Sequence, residues 1–431
     1  MKSLWNDIKR RQYDSLDGDI QTDVLIIGGG MCGLLCAHML CREGVDCTVV
    51  ERDRILNGIT NGTTAKITYQ HGLIYDDIIK KYGTQKAKLY YKSQKKALDT
   101  IVKLAADIEC DFEICDSYVY SLSHRENVKR EADALNKIGC RAEFCEETEL
   151  PFRIAGAVRI ENQAKFHPLK FAYEISKNLN IYENTEIIEL RQGIAITNKG
   201  KIRAKKIVVA THFPFINKHG AFFVKMYQHR SYVLALKGAD KISGMYVDEK
   251  MTGMSFRNYN DLLLLGGGGH RTGKSGGNWQ ELIQFKDMYY PNAKIVGRWA
   301  AQDCMTLDSL PYIGCYSKAT PDLYVATGFN KWGMTSSMVS AMVLRDMICK
   351  LKSEYDTLYN PSRSILHPQL AVNLYESSKS LFALSTPRCP HMGCALKYNR
   401  QEHSWDCLCH GSRFEEDGKL INGPATDDKK L

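Results

Sequence analysis

The 431-residue sequence lacks an unbroken hydrophobic run long enough to cross a membrane. Its longest apolar stretch, VLIIGGGMCGLLCAHMLC, is interrupted by three glycines at its centre, which marks a strand, a turn and a helix rather than a bilayer helix. The first residues, MKSLWNDIKRRQYDSLDGDI, lack the apolar core of a secretory signal. Together these absences predict a cytoplasmic chain with no membrane span. Internal repeats and low-complexity tracts are also missing, which excludes solenoid and fibrous architectures. Charge of one sign is nowhere concentrated. The net charge is +9, but Lys and Arg are scattered among acids, and the densest run, KKYGTQKAKLYYKSQKK, reads as a solvated helix face. No nucleic-acid partner is expected.

What is present is an ordinary soluble composition, 44% hydrophobic and 25% charged, in a chain long enough for two or three domains. Fifteen cysteines in such a chain are expected to be mostly reduced thiols. Eleven of them, from Cys32 to Cys349, stand mostly singly in apolar or helical contexts and read as small core residues. The other four crowd with three histidines into RCPHMGCALKYNRQEHSWDCLCHGSRF, residues 388 to 414.

From Asp23 the pattern runs strand (DVLIIGG), glycine turn, helix (MCGLLCAHMLCREG) and strand (DCTVVERD), the opening of a doubly wound α/β domain. Residues 84 to 108 repeat apolar positions at helical spacing (Leu89, Ala97, Ile101, Leu104, Ile108), so an amphipathic helix is expected there. HPLKFAYEISKNL reads as helix, and strands around TNKGK lead into the buried KIVVATHF. Residues 115 to 150 and about 220 to 290 read as short alternating strands and loops, YQHRSYVLALKG and DLLLLGGGG among them. DLYVAT, a glycine turn and the helix MTSSMVSAMVLRDMICKLK close the main body. From Ser353 to Pro387 the pattern weakens to a linker with one helix, where LFALSTP reads as a strand.

Gly28, Gly30 and Gly33 form G-x-G-x-x-G at the junction of strand and helix, and Glu51 ends the next strand. Gly28 permits a tight turn, Gly30 leaves room for a pyrophosphate, and Gly33 lets the helix approach the sheet closely. The helix N-terminus then faces the phosphates with unpaired N–H groups and a favourable dipole. Glu51 can accept hydrogen bonds from a ribose hydroxyl pair. In this context the motif is a strong sign of dinucleotide binding, though it does not separate FAD from NAD.

The lack of a second fingerprint favours FAD, because a flavoprotein reduced by NADH usually needs two. The one other candidate, GGGGHRTG at 266 to 273, places Arg271 and Thr272 where the third glycine belongs and reads as a strand-end turn. TTAKIT (63 to 68), MTLDSLPYIG (305 to 314) and ATGFNKWGMTSS (326 to 337) follow in order. With these motifs the sequence resembles the D-amino-acid-oxidase-like family of FAD-dependent oxidoreductases over roughly residues 20 to 350. More narrowly, with residues 387 to 425, it resembles the bacterial subgroup that carries a C-terminal Rieske domain. The resemblance implies FAD on the glycine loop, Glu51 and its neighbour Arg52. It brings Thr63, Thr64, Ala65 and Lys66 toward the ribityl chain and ring. It also implies a turn of Gly328, Phe329, Asn330, Lys331, Trp332, Gly333 and Met334 that leads into a helix facing the flavin pyrimidine edge, with Thr335 or Ser336 as N-cap.

The tail contains Cys389-x-His391, fifteen intervening residues, and Cys407-x-x-His410. A 2Fe-2S centre with one iron on two thiolates and the other on two imidazoles needs this stoichiometry. Zinc is the rival reading, since six Cys and His ligands in two clumps can also build a tetrahedral site. The Rieske resemblance implies a disulfide between Cys394 and Cys409, a covering proline loop at GPA (423 to 425), and a Ser412 hydrogen bond to a cluster-ligand sulfur. Three positions depart from that family: Leu408 replaces a usual proline, Phe414 replaces a tyrosine, and the base of the domain is shortened.

The expected fold is therefore α/β, with a Rossmann-type FAD-binding domain (about 20–85, 150–215 and 295–352) interleaved with a mixed α+β substrate domain (about 86–149 and 216–294). A linker at 353–380 joins it to a small all-β Rieske-like domain at 381–431. The expected activity is oxidation of a small amine, amino acid or hydroxy acid. Electrons would pass from flavin to the cluster and on to an unidentified acceptor, a redox protein or oxygen. The alternatives are a flavin oxidase whose tail is vestigial or binds zinc, and a non-catalytic FAD-binding sensor or assembly protein. Candidate catalytic groups are Lys66, to stabilise negative charge, and His71, as proton acceptor. Arg257 could clamp a carboxylate, as could Arg230 and Arg271.

Overall fold

A computed structural model describes residues 3–383 and 387–429. Its first sheet grows from the run Ile20–Ile27, whose last four residues are buried. That strand lies between Lys201–Val209 and Cys47–Val50, parallel to both. The parallel order continues outward to Leu323–Thr327 on one side and Asn180–Tyr182 on the other, with Tyr312–Cys315 added antiparallel at the edge. Parallel strands need cover on both faces, which explains their near-continuous apolar character. The helix Met31–Arg42 packs against the closing helix Gly333–Ile348 on one such face, and thirteen residues of the latter are buried.

The second sheet has nine strands and is mixed. Met226–Lys237 pairs antiparallel with Lys294–Thr306 on one side and Leu262–Arg271 on the other, so these three long strands form its broad end. The GGGG run lies inside Leu262–Arg271 rather than in a turn after it. Gly156–Lys165 and Lys294–Thr306, expected in the cofactor part, pair in this sheet because their hydrogen-bonding partners are substrate-side strands.

Three helices break the expected series of strands and loops, the short Phe222–Lys225 and two longer ones. Arg125–Lys137 (RENVKREADALNK) buries Val128, Ala132, Ala134 and Leu135 together with Glu131, a narrow face in a highly charged segment. Asn278–Tyr289 packs Trp279 and Leu282 on the three-strand end. The expected linker holds two helices, Asp356–Tyr359 and Pro368–Phe382. The second turns polar residues inward, Asn373, Glu376 and Ser380, which is why apolar periodicity could not find its buried face. Leu381 and Phe382 of LFALSTP end this helix instead of forming a strand, and residues 384–386 lie outside the described residues.

The C-terminal unit is a four-stranded antiparallel sheet, Leu396–Asn399, Ser404–Cys407, Arg413–Glu415 and Leu420–Asn422. Its core is small: Leu396, Phe414 and Ala425 packed with four cysteines. A disulfide joins Cys394 to Cys409. Such a core is supported from outside. Glu402 sits between Arg230 of the large sheet and Arg413 of the small one, and Arg413 also pairs with Asp406.

Candidate functional site

A cavity of about 1090 Å³ runs from the glycine loop to the C-terminal unit. At its first end Gly28 takes φ +112°, and a Cβ there would stand 2.8 Å from the Ala210 carbonyl oxygen. A Cβ on Gly33 would stand 1.9 Å from the Gly28 oxygen, so helix and strand touch backbone to backbone. Above Gly30 the nearest atom to a Cβ is Thr60 Oγ1 at 3.7 Å, which leaves the space a pyrophosphate would fill. Glu51 accepts hydrogen bonds from the Gly29 and Asp53 N–H groups at 2.8 and 3.1 Å. Burial raises its carboxyl above the usual range, partly offset by those two N–H groups. Arg52 lines the same end and pairs with Asp53 at 3.6 Å. This volume, this cradle and this acid fit a dinucleotide.

The middle of the cavity is built from a loop whose carbonyls are all held. Trp5 Nε1 donates to the Thr63 oxygen at 2.7 Å, and Arg257 Nη1 donates to the oxygens of Thr64 and Ala65 at 2.7 and 2.8 Å. Ala65 is thereby fixed at φ +52° and fully buried. Thr63, Thr64 and Lys66 line the cavity, whereas Ala65 and Arg257 lie behind it. Arg257 is 1% exposed, lies behind the cavity wall and donates Nε and Nη1 to backbone carbonyls, so it is not placed as an open carboxylate clamp. Lys66 Nζ reaches Thr64 Oγ1 at 3.3 Å and Ser255 Oγ at 3.5 Å. Burial, reinforced by the Arg257 charge, lowers its ammonium to about 7.

His71 stacks on Trp332 with centroids 4.9 Å apart. Its Nδ1 meets Tyr90 OH at 2.6 Å, and its Nε2 meets the Thr68 oxygen at 2.8 Å and Thr335 Oγ1 at 3.1 Å. Burial lowers it to about 3, against a small upward pull from the Thr68 carbonyl. A neutral imidazole with both nitrogens engaged is placed to hold Trp332, not to take a proton. Thr335 is not an N-cap: the helix starts at Gly333 with Trp332 before it, and the threonine hydroxyl turns to Thr68 and His71. Lys331, Trp332, Gly333 and Met334 line the cavity, while Gly328 packs against Thr306. Burial lowers Lys331 to about 8 despite Asp303 nearby, and burial raises Asp303 to about 6.

In the C-terminal unit the two Cys-His loops face each other. The rings of His391 and His410 lie 4.9 Å apart, and the Nδ1 atoms of both are buried without a partner. The neighbouring Cys407 thiol lowers Cys389 to about 7 against burial; the His391 and Met392 N–H groups and the Ser412 hydroxyl help. Ser412 Oγ also accepts from the Ala425 N–H at 3.0 Å, which ties the proline loop to the cluster loops. The disulfide removes Cys394 and Cys409 from the ligand pool. Two sulfurs in a nest of donors and two orphaned imidazole nitrogens remain, the donor set that a mixed-ligand 2Fe-2S cluster requires.

Sequence reasoning missed what joins the two sites. Gln228 and Gln302 line the cavity. Gln228 Nε2 donates to the His410 oxygen at 2.7 Å and the Gly423 oxygen at 2.9 Å. Gln302 Nε2 donates to Gln228 Oε1 and to the Gly411 oxygen at 2.8 Å. Arg271 donates to the Leu408 and Cys409 oxygens and to Asn373 Oδ1, and Arg230 is paired with Glu402. Both arginines are thus committed to the domain interface. No spacing signal marked them: Gln228 to Tyr232, QHRSY, is an unbroken run of polar-bearing residues at the start of Met226–Lys237.

A glycine-loop cavity roofed by a mixed sheet and closed by a two-loop Cys-His module defines a flavin oxidoreductase with an attached iron–sulfur unit. The family model for FAD dependent oxidoreductases matches residues 23–347, and that for the Rieske 2Fe-2S domain matches residues 353–430. The chain is 31% identical over 476 aligned positions to YhfW of Bacillus subtilis (strain 168), named as a Rieske 2Fe-2S iron-sulfur protein, covering 96% of this chain and 94% of that one. It is 21% identical to the gamma-glutamylputrescine oxidoreductase of Escherichia coli (strain K12), over 82% of this chain and 89% of the relative. Among solved structures it resembles L-proline dehydrogenase from P. horikoshii, with TM-score 0.67 and 19% identity over 81% of this chain and 98% of that one. The chain belongs to the FAD-dependent oxidoreductase family of D-amino-acid-oxidase type and carries a Rieske domain; its cofactors are FAD and a 2Fe-2S cluster.

Proposed function

We propose that this enzyme oxidises a small amino acid or amine and delivers the electrons to its own Rieske cluster. The supporting observation is continuity: the cavity that begins at Gly30 and Glu51 ends against Gly423, Pro424 and Ala425, the loop beside the cluster ligands. The substrate class rests on the likeness to the glutamylputrescine and proline enzymes. FAD, when bound, accepts electrons in pairs and releases them singly, which suits a one-electron cluster.

The residues take the following parts. Glu51 orients the ribose, and the N-terminus of Met31–Arg42 faces the pyrophosphate. The Thr63–Ala65 loop, clamped by Trp5 and Arg257, supports the ribityl chain. The N-terminus of Gly333–Ile348, presented by Trp332 on His71, favours negative charge at the ring edge. Lys66, poised between charged and neutral near pH 7, holds or releases a proton beside the ring. Cys389 and Cys407, with His391 and His410 through their unpartnered Nδ1 atoms, would hold the 2Fe-2S cluster.

The test is an anaerobic titration of the holoenzyme with glycine, L-proline and short polyamines, followed by absorbance and EPR. One of these classes should bleach the flavin and then produce the reduced-cluster signal. Bleaching with a cluster that stays oxidised would refute the electron path.

A further inference from the structure

Four consecutive backbone carbonyls of the second cluster loop are each bound by a side chain of the oxidoreductase body. Arg271 Nε and Nη2 take the Leu408 and Cys409 oxygens, Gln228 takes that of His410, and Gln302 takes that of Gly411. The amide pair is saturated. Both hydrogens of each Nε2 are donated, Gln228 Oε1 accepts from Gln302, and Gln302 Oε1 accepts from Thr272 Oγ1 at 3.0 Å. Buried amides are costly unless fully satisfied, and a fully satisfied network fixes one geometry. Approach is close: a Cβ on Gly411, at φ +85°, would stand 2.5 Å from Gln228 Cβ. A Cβ on Gly273 would stand 2.7 Å from the Leu408 backbone. The first cluster loop, by contrast, meets the body among the described residues through one side-chain bond, His391 to Asn217 at 3.2 Å.

We infer that Gln228, Gln302 and Arg271 form a carbonyl-reading cradle that positions the His410 loop against the flavin cavity, making that loop the entry point for electrons. The inference rests on the proposed relay and adds its route. The glutamines are positioning residues: each lies on the cavity wall and in the cradle at once, so one side chain separates the chamber from a cluster-ligand residue. No redox change occurs on them. One electron leaves reduced flavin and one iron of the cluster takes it up.

The experiment photoreduces the flavin of the full-length holoenzyme with a laser flash, EDTA as sacrificial donor, and follows cluster reduction optically. Gln228→Leu and Gln302→Leu should keep flavin and iron content yet slow cluster reduction about tenfold or more, as expected when a donor–acceptor pair is no longer held in register. EPR of the dithionite-reduced protein should shift in both variants, reporting an altered His410 setting. Lys397→Ala, which removes an exposed interdomain contact to Ser275 outside the cradle, should change neither reading. If Gln228→Leu loses its cluster, Gln302→Leu decides. Wild-type rates and spectra in cluster-bearing variants overturn the cradle alone. A wild-type protein whose photoreduced flavin never passes electrons on overturns the relay and the cradle with it.

Discussion

Arg257→Leu separates a substrate clamp from a structural clamp. The guanidinium makes two short bonds, to the Thr64 and Ala65 oxygens at 2.7 and 2.8 Å, and longer ones to Phe166 and Asn258. Hydrogen bonds from a charged donor contribute roughly 1.5–3 kcal/mol net each, so the two short ones account for about 3–6 kcal/mol. Against this stands the cost of burying a guanidinium with no carboxylate within ion-pair distance among the described residues, several kcal/mol. The leucine relieves that cost but leaves carbonyls unpaired, and Ala65 at φ +52° loses the contact that holds it. The net loss is about 2–3 kcal/mol, within the ordinary range for a broken buried network. At roughly 2–4 °C per kcal/mol for a large domain, Tm should fall by about 5–10 °C. FAD affinity should weaken with it, because the loop lines the cofactor cavity. Differential scanning fluorimetry and FAD titration measure both. If Tm and FAD affinity stay at wild-type values while KM for a carboxylate substrate rises tenfold, the structural assignment is refuted and the clamp restored.

Glu402→Ala leaves two buried arginines, Arg230 and Arg413, facing each other without their shared carboxylate, and should cost about 3–5 kcal/mol in chemical denaturation. Adding Arg230→Met should recover part of the loss. Lys66 is pulled from 10.5 to about 7, so the folded chain binds fewer protons than the unfolded chain between those values. Its contribution to stability therefore improves as pH rises through that window, and the stability advantage of Lys66→Met over wild type should narrow from pH 6 to pH 9. The same variant should lose a step near pH 7 in the rate of flavin reduction. His71, lowered to about 3, stays neutral above pH 5, so His71→Asn should keep the pH-rate profile while disturbing the flavin spectrum through Trp332. Loss of an acidic limb between pH 6 and 7 would return His71 to a proton-transfer role.

Features carried by short spacing were legible in the sequence. The glycine loop, the late turn into Gly333–Ile348 and the two Cys-His loops each concentrate their information within about ten residues, where backbone geometry dictates residue type. The helix Arg125–Lys137 escaped because its few buried apolar residues, two of them alanines, stand in a highly charged segment beside a buried Glu131. One helix was expected between 353 and 387, but the bounds and buried face of Pro368–Phe382 were not legible, because it packs by polar contacts, Asn373 to Arg271 and Glu376 to Lys274, and its outward face carries the apolar residues. Arg257 looked like a substrate group because a sequence does not show that its partners, Thr64 and Ala65, stand some 190 positions away. The cradle of Gln228 and Gln302 was hidden for the same reason. Its targets lie in another domain, and an isolated glutamine on a strand carries no spacing signal.

The central claim is that electrons move inside one chain from flavin to cluster. Steady anaerobic illumination of the holoenzyme with EDTA, monitored by EPR and absorbance, tests it without knowledge of the substrate. The account predicts that the reduced-cluster signal grows as the flavin bleaches, and that protein stripped of FAD gives no such signal under the same light. A flavin that bleaches completely beside a cluster still oxidised after minutes in the dark would contradict it.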